Sequence, residues 1–171
     1  MVSPNLRAAA SASAGNGVSV EEQPPGPVDY TSLMDRRAEL DHVASRFGLV
    51  AIYLFGSRAG DGLALLNGAS RTHSGSDLDV GILARGRPAG WRDLAGIQVA
   101  LEDVFAPLRI DLLPLLAVDA LFQFRAIDGH RVAAPDPTAA DLWELEVMRR
   151  AAELLPIERA LEVERYGVST S

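Results

Sequence analysis

Two aspartates separated by one residue are the chemically most informative feature of the sequence. Asp77 and Asp79 lie in the stretch SDLDVGIL (residues 76–83), whose alternation and apolar content are typical of a β-strand. Positions i and i+2 of a strand point to the same face, so both carboxylates are expected to project together, with Leu78 and Val80 on the opposite face. Two like charges this close raise each other's pKa unless a cation lies between them. The pair therefore predicts a divalent metal site, although taken singly it is equally consistent with solvated carboxylates at the entry of a strand.

A strand that ends at a Gly-Ser pair is the second feature. Residues 50–55 (VAIYLF) are apolar, β-branched or aromatic and stop abruptly at Gly56 and Ser57, which predicts a buried strand followed by a tight turn. Glycine lets a backbone approach a phosphate group closely, and the serine hydroxyl and N–H groups are donors for phosphate oxygens. Taken singly, however, Gly-Ser after a strand is usually only a turn.

A third carboxylate, Asp111, lies in the apolar stretch RIDLL (residues 109–113), within a strand predicted over residues 108–113. An unpaired charge buried in an apolar strand is costly, so such an aspartate is expected to have a partner. Two divalent ions held by hard carboxylate oxygens can stabilise negative charge on the attacking and departing oxygens when a phosphate group is transferred. Three aspartates on neighbouring strands suit that chemistry.

In this order, Gly56-Ser57, the SDLD stretch and Asp111 resemble the three-part signature of the DNA-polymerase-β-like nucleotidyltransferases, and best their minimal (MNT) members. The resemblance covers residues 33–150. It implies an α/β (α+β) fold, a small mixed β-sheet packed by helices, with ATP as substrate and two Mg²⁺ ions, or Mn²⁺, as cofactors. Carried over to this sequence, it makes Asp77, Asp79 and Asp111 the catalytic residues and metal ligands, and Gly56, Ser57, Arg58 and Ser76 the nucleotide-binding residues.

The sequence departs from the pattern of minimal members in two places. The interval between Ser57 and Asp77 is longer than expected, so residues 60–75 are predicted to form an inserted loop. Arg58 and Ala59 are followed by Gly60 and Asp61, so the second arginine that often follows the Gly-Ser pair is either missing or displaced, with Arg71 as the candidate.

Helices are predicted around these strands, over residues 31–47, 91–105, 118–127 and 138–155, with Pro156 ending or kinking the last one. Residues 1–28 are rich in Ala, Ser, Gly and Pro and are predicted to form a disordered tail. Residues 29–171 are then the nucleotidyltransferase domain.

Composition excludes several classes of protein. The net charge of −7 argues against a direct nucleic-acid binder, which would carry a basic patch. The chain has no cysteine, hence no disulfide framework, and no apolar run of the ~20 residues that a membrane helix needs. The cytoplasm is the expected location.

The resemblance implies an enzyme that transfers AMP from ATP to a hydroxyl group of a partner protein. Minimal members of this kind act as antitoxins that adenylylate a HEPN-family RNase toxin, which makes such a toxin the expected partner. Two alternatives stay open from the sequence. One is a non-catalytic MNT fold that neutralises the toxin by covering it, and the other is an adenylyltransferase for small, aminoglycoside-like molecules.

Overall fold

The computed structural model describes residues 30–69, 77–86 and 90–167 of the chain. Within these ranges the chain forms five α-helices, a short 3-10 helix at Leu115–Ala117 and a four-stranded sheet. In order, the elements are α1 (Tyr30–Arg46), β1 (Leu49–Phe55), α2 (Ala59–Leu66), β2 (Leu78–Ala84), α3 (Trp91–Phe105), β3 (Ile110–Pro114), α4 (Ala120–Ile127), β4 (His130–Ala133) and α5 (Pro137–Tyr166). The α/β class is thereby confirmed. The tail predicted over residues 1–28, the predicted site residue Ser76 and the candidate second arginine, Arg71, lie outside the described residues.

The sheet is mixed, with the strand order β3-β2-β1-β4. Strand β1 runs antiparallel to both β2 and β4, whereas β2 and β3 are parallel and are joined by the α3 crossover. Because of these directions, the carboxyl end of β1 lies beside the amino ends of β2 and β3. The Gly-Ser turn and the aspartate-bearing strand starts therefore meet at one end of the sheet.

Helices α1, α2 and α3 cover one face of the sheet. Alternate residues of the two central strands point into this layer, where they are almost fully buried: Ile52, Leu54, Leu78, Val80 and Ile82. They pack against the apolar stripes of the helices, which contribute Leu40, Val43, Leu66, Ile97, Leu101 and Phe105. This packing confirms that Leu78 and Val80 face away from the side of the sheet that carries Asp79.

Helices α4 and α5 cover the opposite face. The intervening residues of the strands bury their side chains here, together with one residue from each helix: Val50, Tyr53, Phe55, Leu83, Ala126 and Ala140. Side chains alternate between the two faces along each strand, and by this alternation Asp79 on β2 and its partner Asp111 on β3 both point to this face.

The interpretation of residues 60–75 as an inserted loop is wrong for its first half, because the chain forms α2 directly after the Gly-Ser turn. Gly62 allows α2 to lie close to the sheet: a Cβ atom there would come within 2.9 Å of the side chains of Leu54 and Leu78. Two glycines in eight residues lower the intrinsic helix propensity, which hid this helix in the sequence. Burial of Leu66 outweighs that cost.

Helix α5 continues past Pro156 to Tyr166, so of the two alternatives predicted for Pro156 the one in which it ends the helix is wrong. At its start the Asp136 carboxylate accepts the N–H of Ala139 at 3.0 Å and caps the first turn. Beyond Pro156 the helix exposes Ile157 and Leu161. Of the helices that the structure describes, none is long and apolar enough to cross a membrane.

A polar network ties α5 to the centre of the sheet. The hydroxyl of Tyr53, on β1, donates a hydrogen bond to Glu144 of α5 at 2.9 Å. Arg131 of β4 donates to the same carboxylate at 3.2 Å and to Asp141 at 2.6 Å. Burial, followed by the neighbouring Glu144 carboxylate, raises the pKa of Tyr53, so the phenol stays protonated as a donor.

Replacing Tyr53→Phe should lower the free energy of unfolding by about 1–2 kcal/mol, since a hydrogen bond to a charged group is lost inside the fold. Urea denaturation measures the change. The control is Asp141→Asn, which weakens a solvent-exposed pair and should cost less than about 1 kcal/mol. Equal losses for the two variants would show that the buried hydroxyl contributes no more than a surface ion pair.

Candidate active site

Strand register brings the carboxylates of β2 and β3 side by side. Asp79, on β2, lies directly opposite Asp111 on the parallel strand β3 and directly opposite Phe55 on the antiparallel strand β1. Asp77 immediately precedes β2, two positions before Asp79. The backbone therefore places all three predicted aspartates at one end of the sheet, next to the turn that follows β1.

The electrostatic environment of Asp79 reflects this arrangement. Its pKa is raised, first by partial burial and then by the negative charges of Asp111 and Asp77. An ionised Asp79 is thus held close to two like charges, an arrangement that a bound cation would relieve. Carboxylate oxygens are the ligands that Mg²⁺ and Mn²⁺ prefer, so the donor set suits such an ion chemically.

The carboxylates are neighbours, but their side chains are not gathered around a common point. Among the described residues, no three Asp, Glu or His side chains lie close enough to hold a metal ion. Asp77 is turned toward Arg109, with 3.8 Å between Oδ1 and Nε, and both side chains are well exposed. Such a pair contributes little to stability. Asp111 is also exposed, so a change of rotamer at either aspartate meets little packing resistance.

Gly56 brings the turn into contact with the carboxylate of Asp79. Its φ angle is +73°, a left-handed conformation that favours glycine. A Cβ atom at this position would overlap Oδ2 of Asp79. From the sequence, we expect this glycine to let a phosphate group approach the backbone. The structure gives a second reason for a glycine here, because a side chain at this position would collide with the Asp79 carboxylate. Gly56 and Asp79 are therefore parts of one site.

The two residues after Gly56 are placed differently. Ser57 is exposed beside the turn, whereas Arg58 is only 8% exposed. The Arg58 guanidinium is turned toward the first turn of α2, with 3.2 Å between its Nε and Oδ2 of Asp61. Contact of Arg58 with a triphosphate stays a prediction.

Asp61 was not among the residues predicted from the sequence. Asp61 lies three positions after Arg58, and two side chains at this spacing are neighbours when both residues belong to one helical turn. Because the sequence predicts a loop over residues 60–75, the spacing did not predict an ion pair between Arg58 and Asp61. Recognition of α2 would have revealed the pair.

No protein-family model matches the chain, and no curated protein matches it significantly. Several solved structures do share its architecture. A mutant MntA–HepT toxin–antitoxin structure has a TM-score of 0.56 at 15% identity and covers 77% of this chain and 98% of its own. A toxin–antitoxin with AMP-PNP has a TM-score of 0.56 at 16% identity, with the same coverage.

A third structure is the tri-AMPylated HEPN toxin of Shewanella oneidensis in complex with MNT antitoxin. Its matching chain has a TM-score of 0.55 at 14% identity and covers 80% of this chain and 99% of its own. At these identities the likeness shows the fold. The chain has the MNT-type nucleotidyltransferase fold, which confirms the architecture expected from the resemblance of its motifs.

Replacing Gly56→Ala should destabilise the fold more than Gly48→Ala does. Both glycines have positive φ angles, so alanine costs about 1–2 kcal/mol of backbone strain at either position. No described atom lies within 4 Å of a Cβ at position 48, whereas one at position 56 must also displace the Asp79 carboxylate. Chemical denaturation measures how much more free energy of unfolding Gly56→Ala loses than Gly48→Ala. A second substitution, Asp79→Ala, should remove this additional loss when combined with Gly56→Ala. Combined with Gly48→Ala, it should leave the loss caused by Gly48→Ala unchanged.

Proposed function

We propose that the chain is a metal-dependent nucleotidyltransferase that transfers AMP from ATP to a hydroxyl group of a partner protein, and that this partner is a HEPN-family toxin. One observation carries the proposal: on a nucleotidyltransferase fold, Asp79 is paired with Asp111 and touches the Gly56 turn. A strand pair that holds like charges together beside a glycine turn destabilises the free protein. It is useful where a cation and a phosphate bind.

The structural neighbours support the partner and the nucleotide. One neighbour is a toxin–antitoxin with AMP-PNP, and another is an MNT antitoxin in complex with a tri-AMPylated HEPN toxin. A third is a mutant in which two aspartates, two positions apart, are replaced by glutamate. Asp77 and Asp79 have the same spacing in this chain.

The residues of the site suggest how each would act. Asp77, Asp79 and Asp111 would hold two Mg²⁺ ions, which stabilise negative charge on the attacking and departing oxygens when bound. Gly56 leaves space for the phosphates, and the hydroxyl and N–H groups of Ser57 donate to phosphate oxygens. Asp111 accepts the proton of the acceptor hydroxyl, which helps to deprotonate it.

The reaction itself is an in-line displacement at the α-phosphorus. The acceptor oxygen forms a bond to that phosphorus as the bond to the bridging oxygen breaks, and pyrophosphate leaves with the electron pair. The product is an AMP ester of the acceptor hydroxyl. Positioning and charge stabilisation carry most of the rate enhancement in reactions of this kind.

A second candidate is a non-catalytic module that neutralises the toxin by covering it. Two observations favour it: the described carboxylates are not gathered around one point, and Arg58 is turned toward Asp61. The three aspartates favour the enzyme, because a module that acts only by covering its partner needs none of them. Nucleotide binding and AMP transfer separate the two candidates.

ATP binding should depend on a divalent metal. Calorimetric titration is expected to show binding with Mg²⁺ or Mn²⁺ and little with EDTA, because the carboxylates repel the triphosphate until cations neutralise them. Asp77→Asn combined with Asp79→Asn should abolish binding while raising the melting temperature, since a partly buried charge and its like neighbour are removed. Asp103→Asn on α3, across the sheet from the site, is the control and should leave binding unchanged. Equal ATP affinity with and without metal would contradict the proposal.

AMP transfer should depend on Asp111. Incubation of the chain with a HEPN-family partner, ATP and Mg²⁺ is expected to add one or more AMP units to a hydroxyl side chain, and intact-mass spectrometry detects them. Asp111→Asn should slow the transfer at least about 100-fold while leaving the complex intact, because Asp111 acts on the transition state. Ser57→Ala should have a milder effect, since its backbone N–H remains.

The same experiment identifies the non-catalytic module. If the wild-type chain adds no mass and Asp111→Asn neutralises the toxin equally well, the chain works by covering its partner. If mass is added by Asp111→Asn at the wild-type rate, the assigned role of Asp111 is wrong.

A further inference from the structure

An exposed aromatic ring lies beside the candidate active site. Phe122, in the first turn of α4, is 39% exposed, and no other aromatic ring among the described side chains is as exposed. Its ring meets that of Phe55 edge to face, with 6.1 Å between the centroids and 89° between the planes. Phe55 is buried, so it forms the base on which the exposed ring rests.

Strand register places this ring pair next to the carboxylates. Phe55 is the cross-strand partner of Asp79, and cross-strand partners project from the same face of a sheet with their Cβ atoms about 4.5–5.5 Å apart. Asp79 in turn is paired with Asp111. Across this end of the sheet the order is therefore Asp111, Asp79, Phe55 and Phe122. This row of four residues thus consists of two negatively charged side chains followed by two aromatic ones.

Helix α4 is fixed in this position by its backbone. The Asp119 carboxylate caps the helix by accepting the N–H of Phe122 at 2.9 Å. After the helix, the chain at Gly129 passes so close to β1 that a Cβ atom there would overlap the carbonyl oxygen of Leu54. Neither contact uses the ring of Phe122. The position of the helix therefore has supports besides the ring of Phe122.

We infer that the exposed ring of Phe122 is the stacking surface for the base of the nucleoside triphosphate, an inference that rests on the proposed function. A nucleoside triphosphate has a charged end, which suits the Gly56 turn and the carboxylates with their cations, and a flat base, which needs an apolar surface. Stacking on an aromatic ring tolerates any base but favours the larger surface of a purine. The site should accordingly prefer ATP or GTP to UTP or CTP.

The test compares a ligand that has a base with one that lacks it. Calorimetric titrations of the full chain in Mg²⁺ use ATP and inorganic tripolyphosphate as the two probes. Phe122→Ala should weaken ATP binding about ten-fold, within the range measured for loss of one base–aromatic stack, and leave tripolyphosphate binding unchanged. Phe122→Trp, which keeps an aromatic surface, should retain most of the ATP affinity. Leu142→Ala removes an exposed apolar side chain from α5 and is the matched control for both probes.

Base preference gives an independent measure. The wild-type chain should bind ATP several-fold more tightly than UTP, and the ratio should fall toward one in Phe122→Ala. Melting temperatures of the variants show whether α4 remains packed on β1. A Phe122→Ala chain that unfolds is replaced by Phe122→Leu, which keeps the apolar contact with Phe55 but removes the aromatic face.

Three results would overturn the inference. Equal weakening of ATP and tripolyphosphate would mean that Phe122 only supports the carboxylate site. Unchanged ATP affinity with slower AMP transfer to the partner would mean that the ring contacts the acceptor. If the wild-type chain binds neither probe, the proposed function fails together with this inference, whereas the first two results leave the proposed function standing.

Discussion

The pairing of β2 with its two neighbours at Asp79 is the constraint on which the candidate site depends. Slippage of β2 by one residue would turn Asp79 to the other face of the sheet and remove Leu78 and Val80 from the layer in which they are fully buried. The apolar alternation of the strand therefore holds the register. Because the register is held, Asp79 lies between Asp111 on β3 and Phe55 on β1. Core packing thus determines the geometry of the polar site.

This site is a locally unfavourable part of a well-packed domain. A carboxylate with a raised pKa lies among like charges, and the adjoining Gly56 is held in a left-handed conformation. On the neighbouring strand β1, Tyr53 lies three residues before Gly56, and it is fully buried and bonded to Glu144. The sheet therefore combines a stabilising contact at its centre with a destabilising cluster at its end. Such an arrangement is typical of functional sites, where local stability is lower than in the surrounding core.

Shared architecture at 14–16% identity has a simple physical explanation. Three helices on one face and two on the other need only apolar side chains at alternate strand positions and along one stripe of each helix. Many sequences meet that requirement, so the fold persists while individual residues change. Function depends on particular residues at the end of the sheet. In this chain the residues proposed for that role are the three aspartates, Gly56 and Phe122.

The sequence by itself determined the elements with strong local patterns, and it predicted the three aspartates that lie at one end of the sheet. Alternation in β2 and the apolar run of β1 were sufficient to predict both strands and the face of the sheet on which Asp79 lies, and the resemblance of the motifs predicted the nucleotidyltransferase fold. Only the tertiary structure decided features that depend on distant partners. Helix α2 forms despite its glycines because Gly62 packs against Leu54 and Leu78, and that helix pairs Arg58 with Asp61. Phe122 lies beside the carboxylates because α4 returns to the end of β1, a proximity between residues far apart in the chain that no local pattern encodes.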